Sequence, residues 1–327
     1  MIITVTPAPS LDRTYYAPRF AEGHVNRASS SEVEASGKGV NVSRSLAAAG
    51  APTVAVLPLG AAEGRQLAEL LAQDDVPFLA VSTDVPTRTN TTLAVPGRPT
   101  TKMNAPAPAL PEQVWTELRF VVEDLLRQYP GAWLLCSGSV PDGADAVPAE
   151  LVALARRHGA RSAVDSSGRP LAAAIAASPD LVAPNHLELA ELLGEDPTVL
   201  DPDGADGGDG PPLVETAAGW AQQLSTRTGG AVLATLGAAG AVYADAAGSW
   251  HAAAPPIVPV NTVGAGDALL AGFLSVAGRD DAGHPADPGG ALATAVAWGT
   301  AACAMPGTSG DVARGADVAG VTVRQLS

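Results

Sequence analysis

The chain has 327 residues, 46% of them hydrophobic and 16% charged; that is enough apolar material for one large α/β domain or two smaller ones and too much for wholesale disorder. Lys and Arg number 19 against 34 Asp and Glu, a formal net charge of −15, which argues against non-specific nucleic-acid binding or an anionic membrane surface. Any anionic ligand must meet a local basic cluster.

In chain order, Ile2 to Thr6 reads as a short buried strand stopped by Pro7 and Pro9, and "GKGVNVSRSLAAAG" carries Val40, Leu46 and Ala47 at helical spacing before Gly50 closes it. "TVAVLPLG" is a strand, "GRQLAELLAQD" a helix and "PFLAVS" a strand. The alternation returns in "AWLLCSG" with "PAELVALARRHG", "ARSAVDSSG" with "PLAAAIAAS", "DLVAPN" with "HLELAELLG", and a helix from Val214 to Thr228 before "AVLATLG". Such βα units predict an α/β fold: a mostly parallel, doubly wound sheet with helices on both faces. Two regions break the rhythm. Around residues 13–35 and 87–106, polar and β-branched residues alternate over hairpin-length runs, which predicts a small inserted β-sheet that acts as a lid or only decorates an edge. The acidic, Gly/Pro-rich segment Asp196 to Pro212 fails the calcium-loop register, since the twelfth position from Asp201 is Pro212, and is expected to be a solvated loop. The two cysteines, Cys136 and Cys303, lack metal-type spacing and are expected free in a reducing compartment. "MIITVTPAPS" has no basic region before a long apolar run, and no uninterrupted apolar stretch reaches membrane-spanning length, so a cytoplasmic protein is expected.

"NTVGAGDALLAGF" places Gly264, Ala265 and Gly266 where the unpaired N–H groups of a new helix attract anions, and adds Asp267 at once. A carboxylate there stabilises the helix dipole, or else takes a proton from a group that attacks a phosphate. A Walker A loop is absent, because Lys38 is followed by Gly39 and Val40; a dinucleotide loop is absent too, because Leu269 stands where a third glycine belongs.

"TPAPSLDRT", "SGKGVNVSRSLAAAG", "TRTNTTL", "TKMN", "CSGSVPDG", "VDSSGRPL", "PNHLEL", "TLGAAGAV" and "NTVGAGDALLAG" follow one another along essentially the whole chain. In order and spacing they resemble the ribokinase-like, or PfkB, sugar kinases. Asp12 with Arg13 and Thr14, Gly37 to Val42, Arg88 with Asn90, and Thr101 to Asn104 look most like the 1-phosphofructokinase and tagatose-6-phosphate kinase branch. The resemblance implies one ribokinase-like domain over residues 1–327, a three-layer α/β/α sandwich that uses ATP and Mg²⁺. Phosphoryl transfer needs a positioned hydroxyl, a proton acceptor and donors for the charge on the transferring group. Asp267 then matches the catalytic aspartate, and the N–H groups of Gly264, Ala265 and Gly266 the anion hole.

Further roles follow from the same resemblance. Asn185 and Glu188 match a pair that holds magnesium through waters; a helix cap beside a solvated carboxylate is the alternative. Asp165 matches a position near metal and phosphates, with an Asx turn as the alternative. Thr235, Gly237 and Gly240 match a nucleotide loop, and Ala297 to Gly307 an adenine-side region for which core packing serves equally. Asp12, Gly37, Gly39 and Asn41 match sugar-binding positions, although the two glycines also suit a tight turn before a helix. A carboxylate can accept from two neighbouring hydroxyls. Lys38, Arg88 and Lys102, with Arg27, Ser137 and Ser139 behind them, match the residues around a resident sugar phosphate; singly, each charge would be a solvated surface group.

Three departures fall on the sugar side. Ala8 stands for a common Asn, Ser36 for a common Gly, and Ala105 to Pro108 for a segment that usually holds Glu and Gly. The expected activity is phosphorylation of fructose 1-phosphate by ATP, with tagatose-6-phosphate or fructose-6-phosphate kinase as alternatives and a non-catalytic ligand-binding relative as the alternative class. Partners are expected to be a phosphosugar, ATP and a second copy clasped through the lid, with no nucleic acid and no membrane.

Overall fold

Runs of residues that are buried at every position build the middle of the molecule. The computed structural model describes residues 1–98, 100–197, 213–278, 286–305, 307 and 310–326; most of the acidic segment, 198–212, lies outside them. The first half comprises β1 (Ile2–Val5), β2 (Ser10–Tyr16), β3 (Ser30–Ser36), α1 (Lys38–Ala48), β4 (Thr53–Gly60), α2 (Ala61–Gln73), β5 (Phe78–Thr83), β6 (Arg88–Ala94), β7 (Thr101–Met103) and α3 (Glu112–Gln128). Next come β8 (Trp133–Ser137), α4 (Val147–Arg157), β9 (Arg161–Asp165), α5 (Gly168–Ala176), β10 (Leu181–Val182), α6 (His186–Leu193), α7 (Leu213–Thr228) and β11 (Ala231–Thr235). The chain ends with β12 (Ala241–Asp245), β13 (Gly248–Ala253), α8 (Ala265–Val276), α9 (Pro288–Cys303), α10 (Val312–Gly315) and β14 (Thr322–Gln325).

A ten-stranded sheet runs β14-β13-β12-β11-β10-β9-β8-β1-β4-β5. From β5 across to β11 every neighbour is parallel. β1 and β4 are buried at every position, as a parallel strand covered on both faces requires. Successive residues serve opposite faces: Ile2, Leu135, Leu233 and Tyr243 pack toward α1, α8 and α9, while Ile3, Val5, Val56 and Leu134 pack toward α3 and α4. Farther along that second face, Val164, Val182 and Val232 pack toward α5, α6 and α7. This is the expected three-layer sandwich. β12, β13 and β14 depart from it by adding in antiparallel fashion. The links Leu236 to Gly240 and Ala246 to Ala247 are far too short for a parallel crossover, so β11–β12–β13 must fold as a meander.

A separate four-stranded sheet has the order β3-β2-β6-β7. The hairpins β2–β3 and β6–β7 are antiparallel and are joined by parallel pairing of β2 with β6. That register sets Ser10 opposite both Ser36 and Arg88, and Asp12 opposite Asn90. Its outer strand, β7, is exposed throughout. Among the described residues no helix is long and apolar enough to cross a membrane.

Candidate active site

The parallel strands of the large sheet end on one edge, the usual place for a ligand in a doubly wound fold. There a cleft of about 400 Å³ opens between that edge and the small sheet, lined by groups from β2, β3, α1, β6, α6 and α8. Asp12, Lys38, Asn41, Arg88, Asp165 and Asp267 all face it.

Asp267 sits in the first turn of α8, whose cap, Gly264, has φ 79°. A side chain at Gly264 would be strained in that left-handed conformation. The first N–H groups of a helix have no acceptor inside it; that of Ala265 leans 3.4 Å toward the Thr262 carbonyl, and the space before Gly266 is open. Asp267 is 7% exposed, and its Oδ2 accepts from Asn41 Nδ2 at 2.8 Å. Burial first, and then the charge of Asp165, push its carboxyl up to about 7, while the Asn41 hydrogen bond and Lys38 oppose the rise. A carboxylate poised near neutrality suits proton transfer at physiological pH.

Asp165 ends β9 and Ser137 ends β8, and the two are register partners. Ser137, fully buried, donates to Asp165 Oδ2 at 2.9 Å. Lys38 Nζ meets Asp165 Oδ1 at 2.7 Å, and that attraction holds the ammonium well above its usual pKa. Lys38 and Ser137, grouped in the sequence with a sugar phosphate, thus stand beside Asp165. Around Lys38, the first residue of α1, the backbone presses on the chain after β1: an added Cβ would lie 2.7 Å from Thr6 Cγ2 at Gly37 and 2.6 Å from Thr6 Oγ1 at Gly39. Close packing accounts for Gly39; Gly37, with φ 122°, also lines the cleft.

At the other end, Asp12 Oδ1 accepts from Ser10 Oγ and from Asn90 Nδ2, each at 2.9 Å, and its Oδ2 accepts from Ser36 Oγ at 2.9 Å. Arg88 donates to the carbonyls of Ala105 at 2.9 Å and Ala8 at 3.1 Å. Two of the altered positions thereby supply backbone acceptors that aim this arginine. Arg88 Nε and Asn41 Oδ1, on two residues that line the cleft, are buried without a hydrogen-bond partner, where such groups are normally satisfied. Ser139 lines the cleft and is exposed, whereas Arg27, in the loop after β2, and Lys102, on β7, are exposed and do not line it. Lys102 is near enough for Asp12 to raise its pKa, although partial burial lowers it overall.

Asn185 and Glu188 line the cleft at the start of α6 and form a capping box. Asn185 Oδ1 accepts from the N–H groups of Leu187 and Glu188, and Glu188 Oε2 accepts from the Asn185 N–H at 2.9 Å. Burial raises the Glu188 pKa. No group of three or more His, Cys, Asp or Glu able to cage a metal occurs among the described residues. Thr235 lines the cleft; Gly237 is exposed on the turn after it; Gly240 is packed so that a Cβ would lie 2.0 Å from the Ala252 carbonyl oxygen. Ala297 and Trp298 belong to the core, while the Cys303 carbonyl accepts from Val260 and Asn261. Both cysteines are free, and burial pushes the Cys136 thiol up to about 12, so it is inert. Sequence reasoning misses Ser10 and Ser36 as donors to Asp12: Ser10 reaches it from two residues back on β2, and Ser36 from β3, where it pairs with Ser10, a register that no local sequence signal fixes.

Residues 7–313 match the pattern of the pfkB family carbohydrate kinases. The chain is 36% identical over 279 residues to the 1-phosphofructokinase of Rhodobacter capsulatus, covering 84% of this chain and 83% of that protein. It is 34% identical over 275 residues to the ATP-dependent 6-phosphofructokinase isozyme 2 of Escherichia coli strain K12, with 82% and 83% covered. Phosphofructokinase-2 from Escherichia coli, in complex with substrates and products, superposes with a TM-score of 0.81 at 30% identity, covering 96% of this chain and 97% of that one. The fold, the strand-end cleft and these matches together place the chain in the pfkB family of carbohydrate kinases, which makes it a phosphotransferase with an alcohol group as acceptor and ATP as the implied donor.

Proposed function

We propose that the protein is a 1-phosphofructokinase, converting fructose 1-phosphate and ATP to fructose 1,6-bisphosphate and ADP. The observation that carries this is the polarity of the cleft: a buried carboxylate near neutrality at a helix N-terminus faces, across the same cavity, an arginine whose Nε lacks a partner. Asp267 takes the proton of the C6 hydroxyl, which attacks the γ-phosphorus of ATP as the bond to the β–γ bridging oxygen breaks. The N–H groups of Gly264, Ala265 and Gly266 receive the negative charge of the transferring group. Arg88, with Lys102 nearby, holds the phosphate on C1, and Asp12 and Asn41 meet ring hydroxyls. Lys38 stands close enough to Asp165 and Asp267 to balance their charge near the incoming phosphates.

The Glu188 and Asp165 carboxylates suit a magnesium ion held mainly through waters, since one oxygen of Glu188 is left over from the capping box while the Asn185 carbonyl is committed to it. Magnesium neutralises charge on the ATP phosphates when bound. Thr235 and Gly237 border the nucleotide. Tyr15, Phe20, Val25 and Met103 are exposed on or beside the small sheet, which supports its use as a lid that clasps a second copy; sedimentation as a monomer would remove that part. Free cysteines and the use of ATP support a cytoplasmic setting.

The deciding experiment is a panel of phosphosugars assayed with ATP and magnesium. Fructose 1-phosphate is expected to exceed fructose 6-phosphate and tagatose 6-phosphate in kcat/KM by at least about tenfold, or about 1.4 kcal/mol. A second reading, fructose-6-phosphate kinase, is favoured by the 34% identity to the Escherichia coli 6-phosphofructokinase; it requires the sugar to bind reversed. Preference for unphosphorylated fructose or a nucleoside would overturn both.

A further inference from the structure

The hydrogen bonds around Asp12 form a nearly closed account. A carboxylate offers about four acceptor positions, two on each oxygen. Oδ1 is filled by Ser10 and Asn90, and Oδ2 is half filled by Ser36. The donors are themselves committed. Asn90 Nδ2 also donates to Ser10 Oγ at 3.0 Å, and its Oδ1 accepts the Ala105 N–H at 3.1 Å. Ser36, 4% exposed, spends its single hydroxyl proton on Asp12. One acceptor position, on Oδ2, is therefore left for a ligand. With no hydroxyl at position 36, Oδ2 would have both positions open and could take two neighbouring hydroxyls, as an unencumbered carboxylate does.

Resting on the phosphosugar kinase reading above, we propose that Asp12 reads a single ring hydroxyl of the sugar, and that Ser36 is the specificity-determining residue that sets this limit. Ser36 acts through Asp12: it fixes the carboxylate plane and removes one of the two contacts that the sugar would otherwise make. Discrimination at the neighbouring hydroxyl then falls to other groups in the cleft, among them the unpartnered Asn41 Oδ1.

A double-mutant cycle isolates the contact. The kcat/KM of a ketohexose 1-phosphate and of its 3-deoxy and 4-deoxy analogues is measured for the wild-type protein and for Asp12→Asn, and again for both in a Ser36→Gly background. In the wild-type background one hydroxyl is expected to couple to Asp12 by about tenfold, and the other to stay within about twofold of independence. In Ser36→Gly both couple, with the change carried by KM, and Ser36→Thr restores the single-hydroxyl pattern. Ser36→Ala replaces the glycine variant if β3 loosens. Two coupled hydroxyls in the wild type, or only one after the Ser36 hydroxyl is removed, would overturn the inference while the kinase reading stands. No turnover of any ketohexose 1-phosphate would overturn the substrate reading, and this inference with it.

Discussion

At one end of the cleft, Asp267 in the first turn of α8, Asn41 in α1 and Asp165 at the end of β9 are each at most 7% exposed. At the other end, Asp12, Arg88 and Asn90 stand on a four-stranded sheet that is part-exposed at these positions and has an exposed outer strand. The first end is fixed by packing that admits no extra atom, such as Gly39 against Thr6 or Gly272 with its Cβ position 2.9 Å from Trp298 Cγ. The second end has no such close packing around its hydrogen bonds: Asp12 is held by Ser10, Asn90 and Ser36, and Arg88 by two backbone carbonyls, on strands where one substitution can rewire them. The rigid end suits chemistry that must not vary. The sheet end suits substrate choice, and the departures at Ala8, Ser36 and Ala105 all fall there.

Substitution at the buried end should do the most damage. If Asp267 is the proton acceptor, Asp267→Asn should lower kcat by roughly a hundredfold or more with little change in KM. The same variant tests burial. Because the folded-state pKa is raised, to about 7, the stability that Asp267 contributes is full below its unfolded pKa and is lost as pH rises through about 7. Asp267→Asn should therefore be more stable than the wild type at pH 8, by up to about 4 kcal/mol, and show no such gain at pH 4. A folded variant with near-normal turnover would return Asp267 to helix-dipole duty.

The sheet end is probed by Arg88→Ala. It should reduce kcat/KM for a phosphosugar by about ten- to a hundredfold, chiefly through KM, because a charge-assisted phosphate contact is worth about 1.5–3 kcal/mol. It should also narrow the ratio between fructose 1-phosphate and its competitors. An unchanged KM would show that the unpartnered Nε faces something other than phosphate.

The contrast between the two ends also governs what could be read without coordinates. Gly264 to Asp267 was legible because a helix start is a local event, written in adjacent residues. The βα alternation was legible because its periods are short. Helix α3 carries the same local signature, with Val114, Leu118, Val122 and Leu125 at helical spacing. The Lys38–Asp165 pair joins residues 127 positions apart, and nothing local announces it; the resemblance groups Lys38 with the sugar-phosphate residues instead. Likewise the donors to Asp12 depend on strand register, which turn geometry and packing set. Arg27, which the resemblance also places beside the sugar phosphate, is exposed and away from the lining of the cleft.

Lys38 offers a milder test of how tightly the buried end is coupled. Its charge opposes the rise in the Asp267 pKa, so Lys38→Met should move the acid limb of the kcat profile to higher pH. The rate should fall several-fold at pH 7, on the order of one pKa unit of loss, and recover in part by pH 8.5. A limb that stays in place, whatever happens to KM, would mean that Lys38 serves only to hold Asp165 and does not reach the proton acceptor.

The smallest effect is expected at Glu188, where two roles overlap and can be separated. Its Oε2 closes the capping box on α6, while its carboxylate charge is the feature proposed to hold magnesium through waters. Glutamine serves a capping box as well as glutamate does, so Glu188→Gln should leave the melting temperature nearly unchanged. It should still raise the magnesium concentration needed for half-maximal rate by roughly two- to fivefold, since a neutral amide holds a hydrated cation less well. Glu188→Ala should add a loss of about 0.5–1 kcal/mol, the size of a helix-cap contribution. If the glutamine variant titrates with magnesium like the wild type and only the alanine variant loses stability, Glu188 is a helix cap alone. The cation would then have to be held by Asp165 and the substrate phosphates, and the buried end would depend on one carboxylate fewer.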